Sequence, residues 1–289
     1  MRTALAGTIL VAMLAGTTAH GQNMPTMPPK DMKPKTALVA PGSAGPLTVD
    51  QVKARIAAAT TDPADFTGAD LSGLDFTGLD FKAARLVAVK FDKATVSGAN
   101  FFSCDLTGAS LTDLKALKTN FDGSTLRKAD LRRADMTGSS LYATIDEDTD
   151  FSGANMSETR IIGYLKHAKL VGTVLHKANI GVDNSNQSMG LMRASFTAAD
   201  LSGADLTDAN MFKVDLSYAI LTKARLARAR LESAELVGSD FSGADLTDAL
   251  LGGANLAQAT FAGATGVRTI KGLDQTRNRD KAQFDEHME

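Results

Sequence analysis

The sequence predicts an all-β solenoid, a chain wound into a rod by one short unit repeated many times. Three observations predict it. Large apolar residues recur every fifth position at Phe66, Leu71, Phe76, Phe81, Leu86 and Phe91, and again at Leu246, Leu251, Leu256 and Phe261. Ten of the thirteen Phe residues (66, 76, 81, 91, 101, 121, 151, 196, 241 and 261) fall on one frame of five. A period of five matches neither the period of an amphipathic helix, about 3.6, nor a long alternating strand, so each unit combines a short extended piece with a turn.

Residues 1–21 read as a secretory signal. Met1-Arg2 supplies a short basic start, residues 4–15 are mostly apolar, and Ala19-His20-Gly21 offers a cut after Ala19 or after Gly21. The apolar run is short for a membrane span, so the expectation is cleavage, a periplasmic or secreted location and no stable membrane insertion. Residues 22–46 hold six of the seven prolines and little apolar patterning, as an extended linker does. Met24, Met27 and Met32 lie there; thioethers suit Cu(I), but without a supporting Cys or fixed geometry they do not make a site, and no cofactor is expected.

Residues 47–61 form the next element. Thr48-Val49-Asp50-Gln51 has the form of a capping box opening a helix to about Ala59, with Val52 and Ile56 on one face. That helix is expected to close the N-terminal end of the rod, whose strand edges would otherwise invite edge-to-edge association.

Residues 62–266 carry the repeat, which reads A-(D/N)-(L/F)-(S/T)-G, as in Ala69-Asp70-Leu71-Ser72-Gly73. Ala and Leu are two apart and share a side, while Asp70 faces the other way. Ser-Gly then turns the chain, with Gly where a type II turn needs positive φ. Units such as Ala204-Asp205-Leu206-Thr207-Asp208-Ala209-Asn210-Met211 and Ala99-Asn100-Phe101 resemble the pentapeptide repeat family, and the likeness runs from residue 62 to about 266. The resemblance implies a right-handed quadrilateral β-helix in which four units complete a coil of twenty residues. Forty slots between positions 66 and 261 make about ten coils, a rod near 50 Å long at ~4.8 Å per coil.

Residues twenty apart should then be stacked neighbours, and the charges fit. Arg85 falls between Asp65 and Asp105, Arg225 between Asp205 and Asp245, and Arg228 between Asp208 and Asp248; Arg127 meets Glu147, Lys128 meets Asp148 and Arg133 meets Asp113. This stacking neutralises three of the four cations in the basic stretch 127–133, which removes it as a nucleic-acid patch. The whole chain carries net charge −2 with a pI near 6.1, so neither nucleic acid nor an anionic membrane is favoured as partner.

The pattern breaks twice. Asp146 occupies a slot for a large apolar residue, and Ile145 is expected to turn inward in its place. The acidic run 146–150 lacks the glycine and the twelfth-position Glu of a calcium loop, so no metal is expected. After Ile161 the beat shifts by one to Leu165, Leu170, Leu175 and Ile180 and returns at Leu191 and Phe196; the polar run 181–190 reads as a bulge or protruding loop, with Asp183, Asn184 and Asn186 as candidate functional residues. Residues 267–289 form a charged tail that either caps the rod or, as the family's habit implies, pairs two copies through the C-terminal end.

No phosphate loop, nucleophile elbow or His-Glu-x-x-His occurs, and His167 and His176 lack metal-ligand spacing. Cys104 stands where the repeat has Ala and reads as a small core residue. Phe102, Asp122, Tyr142 and Ile162 occupy equivalent corner positions on successive coils, so Phe102, Tyr142 and Ile162 form the candidate partner surface, an apolar line along one face. The expected function is that of an exported, non-enzymatic scaffold for a protein partner; the alternative, implied by the family's quinolone-resistance members, is a DNA-mimicking regulator of gyrase, a type II topoisomerase.

Overall fold

The computed structural model describes residues 47–81, 83–182 and 193–285. Helix α1 spans Val49–Ala58. Thr48 caps it: its hydroxyl accepts from the Gln51 amide, and Gln51 Oε1 accepts from the Thr48 amide at 2.8 Å. Val52 and Ile56 are buried in the core, while Arg55 reaches the Asp65 carbonyl at 3.2 Å and lies over the Phe66 ring. The helix thus packs on the first coil.

Beyond it the chain is a quadrilateral β-helix whose pairing follows the predicted period. Asp65 pairs with Arg85, Arg85 with Asp105, and so on through parallel bridges twenty residues apart. The geometry of one corner accounts for the whole repeat. The Phe66 and Gly68 amides donate to the Arg85 and Val87 carbonyls on the next coil, and the Arg85 amide returns to the Ala64 carbonyl. The Ala69 amide closes the turn onto the Phe66 carbonyl at 2.9 Å, with Gly68 at φ +69°. Only the Thr67 amide is left over, and Asp65 Oδ1 accepts it at 2.9 Å. Backbone donors in a compact fold need partners, and here an Asp or Asn before the large apolar residue supplies the missing one. The same bond recurs from Ser72 to Asp70, Thr107 to Asp105, Ser202 to Asp200 and Thr247 to Asp245. That is why Asp or Asn recurs there, a preference beyond mere outward polarity.

Inside, the large residues form continuous columns. Phe81, Phe101 and Phe121 stack with centroids 4.5 and 5.2 Å apart, and Phe241 stacks on Phe261 at 5.0 Å. Cys104 is a buried small residue, and burial pushes its thiol up to about 12. At several places where Ser or Thr replaces the small Ala its hydroxyl bonds a carbonyl of the preceding coil, as Thr119 does to Val96, Thr149 to Leu126 and Ser239 to Leu216.

Three departures from twenty mark the irregular coils. Strands β1 (Ser140–Ile145) and β2 (Arg160–Tyr164) pair in parallel, and their register slips between Tyr142–Ile162 and Ile145–Tyr164. From there pairs lie nineteen apart, as in Asp150 with Lys169. Tyr164 then pairs with Ser195 and Asn179 with Asn210, an interval of thirty-one, before Ser195 with Asp215 restores twenty. At the C-terminal end three 3-10 turns (Val267–Thr269, Leu273–Gln275 and Arg279–Lys281) lengthen the last units, and Phe284 stacks on Phe261 at 4.7 Å. The described residues of the tail, to 285, wind onto the rod and cover its last coil.

The slot at Asp146 corrects one expectation. Asp146 itself is fully buried and Ile145 stays half-exposed. The backbone keeps its period through this unit, so the side chain in the core slot goes inward whatever its chemistry.

Candidate functional site

The outward positions sort into two kinds of surface. The first is laddered by charge. Arg133 makes two bonds of 2.8 Å to Asp113, Arg228 pairs with Asp208 at 2.7 and 2.8 Å, Arg127 reaches Glu147 at 3.1 Å and Arg225 reaches Asp205 at 3.4 Å. Hydrogen bonds from these guanidinium groups hold the Asp113 and Asp208 carboxyls below the usual range. Asp148 meets His167 at 3.6 Å, and Arg132 turns back onto Asp130 of its own strand at 2.6 Å. Asn side chains continue the ladder elsewhere, Asn120 donating to Asn100 and Asn100 to Asp80.

The second kind is apolar. The candidate surface of Phe102, Tyr142 and Ile162 begins as expected and then fails. Phe102 is 54% exposed, but Asp122 accepts from the Ser140 hydroxyl and the Tyr142 amide, and Arg160 lies 4.3 Å over the half-buried Tyr142 ring. Ile162 is fully buried. The lost residue after it shortens the corner and draws this side chain into the core, so the apolar line is not continuous. Asp183, Asn184 and Asn186 lie outside the described residues.

Two exposed rings stand off that line. Tyr164, on the short coil, is 57% exposed. Tyr218 is 60% exposed and stands beside Ile220, itself 42% exposed. Tyr218 lies across the next corner, where a Cβ added to Gly238 would come within 2.7 Å of its ring. It holds φ of +59°, a conformation that a bulky side chain rarely takes. Ile220 pairs with Asp200 on one side and Asp240 on the other, at a position the repeat normally gives to Asp or Asn. The sequence reading missed this pair; the signal was Ser217-Tyr218-Ala219-Ile220-Leu221, a unit with apolar residues at two outward positions.

At the irregular coil, Asp146 is the one buried carboxyl among the described residues. Thr144 Oγ1 donates to its Oδ2, its Oδ1 has no partner, and burial pushes the carboxyl up to about 7. Gly163 makes the room, since a Cβ there would sit 2.5 Å from the Thr144 hydroxyl. Among the described residues no cluster of three or more His, Cys, Asp or Glu could hold a metal ion, and no helix is long and apolar enough to cross a membrane.

The family model described as pentapeptide repeats matches residues 64–101, 104–141, 191–226, 209–248 and 239–265. Its matches stop at 141 and resume at 191, so the unmatched interval holds Asp146, the short coil and the enlarged interval. Among solved structures, the chain is similar to HetL, a pentapeptide repeat protein involved in heterocyst differentiation regulation from the cyanobacterium Nostoc sp. strain PCC 7120. The two are 24% identical, with a TM-score of 0.62 over 82% of this chain and 100% of HetL, a likeness of fold. A trypsin-treated form of QnrB1, a plasmid-mediated fluoroquinolone resistance protein, is 16% identical over 77% of this chain and 90% of its own, with a TM-score of 0.32. A pentapeptide repeat protein of the Arabidopsis thaliana thylakoid lumen is 29% identical over 48% of this chain and 68% of its own, with a TM-score of 0.19. No curated protein matches by sequence.

Proposed function

Since the chain belongs to the pentapeptide repeat family and folds as its right-handed β-helix, we propose that it is an exported, non-catalytic scaffold that holds a protein partner against the side of a rigid rod. The observation that carries this reading is the contrast between the two surfaces. Most outward polar groups are tied into corner bonds and ion ladders, whereas the rings of Phe102, Tyr164 and Tyr218 stand exposed on the most rigid kind of support, a stack of hydrogen-bonded coils. Aromatic side chains offer large contact area at little conformational cost, which suits a docking surface. The apolar start at residues 4–15, followed by Ala19-His20-Gly21, supports export to the periplasm. Alternating Arg–Asp ladders differ from the continuous acidic strip a DNA mimic needs.

Two measurements test the reading. Photo-crosslinkers placed at Phe102, Tyr164 and Tyr218 in the source cell should trap a protein from at least one position; none from any of them would remove the scaffold role. N-terminal sequencing of the periplasmic protein should begin after Ala19 or Gly21, and recovery only from the cytoplasm with Met1 intact would remove export.

A further inference from the structure

Charge is distributed unevenly around the coils between residues 195 and 260. On two adjoining sides the outward residues are Ser195, Asp215, Glu235 and Asn255, then Asp200, Ile220, Asp240 and Thr260. Four of these eight are carboxylates and none is a cation. On the first side both carboxylates are answered from elsewhere, Asp215 by Arg193 at 3.6 Å and Glu235 by Arg277 at 2.8 Å. On the second side neither Asp200 nor Asp240 forms an ion pair among the described residues, although Lys169 stacks next to Asp200 on the preceding coil; their hydrogen bonds are to Ser202 and Ser242. The remaining sides show the rule being broken here, because Arg225 and Arg228 stand opposite Asp205 and Asp208 on the same coils.

Between these two carboxylates lies Ile220, and round the corner lies Tyr218, the one Phe or Tyr among the described non-glycine residues with positive φ. The exposed ring belongs to the same unit as the exposed isoleucine, and the Tyr218 amide donates to the carbonyl of half-buried Val237.

We propose that Tyr218 and Ile220, flanked by Asp200 and Asp240, form a docking surface for a basic amphipathic helix of a partner protein. The inference deepens the scaffold reading and rests on it. Asp200 and Asp240 are two coils apart, about 10 Å at ~4.8 Å per coil. Cations at positions i and i+7 of an α-helix are separated by nearly the same distance, about 10.5 Å, with an apolar residue between them facing Ile220. A second copy fits poorly, because a two-fold axis at Ile220 sets Asp200 against Asp240 of the other copy. Nucleic acid and anionic lipid meet the same carboxylates with the wrong sign.

The test uses the mature protein and a fluorescent helical peptide of about 15 residues with Lys at i and i+7 bracketing leucines, read by anisotropy. Binding should weaken about tenfold in Tyr218→Ser combined with Ile220→Ser, and similarly in Asp200→Asn combined with Asp240→Asn, which retain the serine bonds. It should be unaffected by Asp70→Asn combined with Asp75→Asn on the first coil, and absent for the peptide with Glu in place of Lys. Unchanged melting temperatures establish that the variants fold. Equal affinity in the surface variants, equal binding of the Glu peptide, or a dimer in sedimentation that the Tyr218 variant dissolves would each overturn the proposal. A partner trapped from Phe102 or Tyr164 alongside such a negative result would leave the scaffold reading standing and remove only this surface.

Discussion

The Thr144 hydroxyl donates to Oδ2 of Asp146 inside the apolar core, and nothing donates to Oδ1. Burial raises this carboxyl from 3.8 to about 7, so the folded protein holds a proton that the unfolded chain releases near 3.8. The sign follows from that order: the contribution to stability is fully present below the unfolded value and is lost as pH rises through about 7. Between those two values the folded state is expected to weaken by about 1.4 kcal/mol per pH unit, and above about 7, where both states are ionised, no further loss follows. Thermal unfolding between pH 4 and 9 should therefore show a decline up to about pH 7 and a plateau beyond it, a decline that Asp146→Leu abolishes, with the variant's advantage reaching its full size near pH 7. An advantage independent of pH would show that the carboxyl is already paired.

Corner positions predict an inverted glycine effect. Ala88 holds φ of +52°, which an L residue takes at a cost of about 1 kcal/mol. Ala88→Gly should leave stability level or raise it by up to about 1 kcal/mol, and Gly78→Ala, which has nothing within 4 Å but φ of +69°, should lower it by a similar amount. Calorimetry on both variants checks the pair; a destabilising Ala88→Gly would contradict the backbone account.

At Asp245 the Thr247 amide and hydroxyl both donate to Oδ1, at 3.0 and 2.6 Å, and these bonds hold the carboxyl below its usual value. Asp245→Ala should lower the melting temperature by about 2 °C, while Asp245→Asn keeps an acceptor and should recover most of the loss. Because the folded pKa is depressed, the contribution persists above about pH 4 and disappears on acidification through the lowered value. Equal losses in both variants would mean the turn does not depend on the side-chain acceptor.

Phe284 covers Phe261 by stacking at 4.7 Å, and Arg279 lies over its outer side. Phe284→Ser should speed amide exchange at Leu256, Phe261 and Gln283 while leaving the amides of the first coils protected. Local loss fits an array in which each coil contacts only its neighbours. Uniform loss along the whole rod would show that the coils melt as one unit.

Much of this architecture was legible because one period serves both core and surface: the beat of Phe66, Leu71 and Phe76 gave the core, and its fourfold multiple gave pairs such as Arg133 with Asp113. What escaped was local. Asp146 goes inward because the backbone leaves the side chain no other direction, and its accommodation needs Thr144 and Gly163; the beat shift after Ile161 marks the register slip, but the spacing does not say that the slip brings these two together beside Asp146. Ile162 left the surface for the same reason. Tyr218 and Ile220 were overlooked because the large core residues, and not the outward ones between them, set the reading frame.

Asn179 meets Asn210 after thirty-one residues, and Ser195 meets Asp215 after twenty, as though nothing had intervened. The rod registers the arrival of each corner and ignores the length of chain spent between two of them. Val182 and Arg193 therefore bracket the stretch where eleven residues more than the twenty-residue coil leave the pairing of the coils on either side in step.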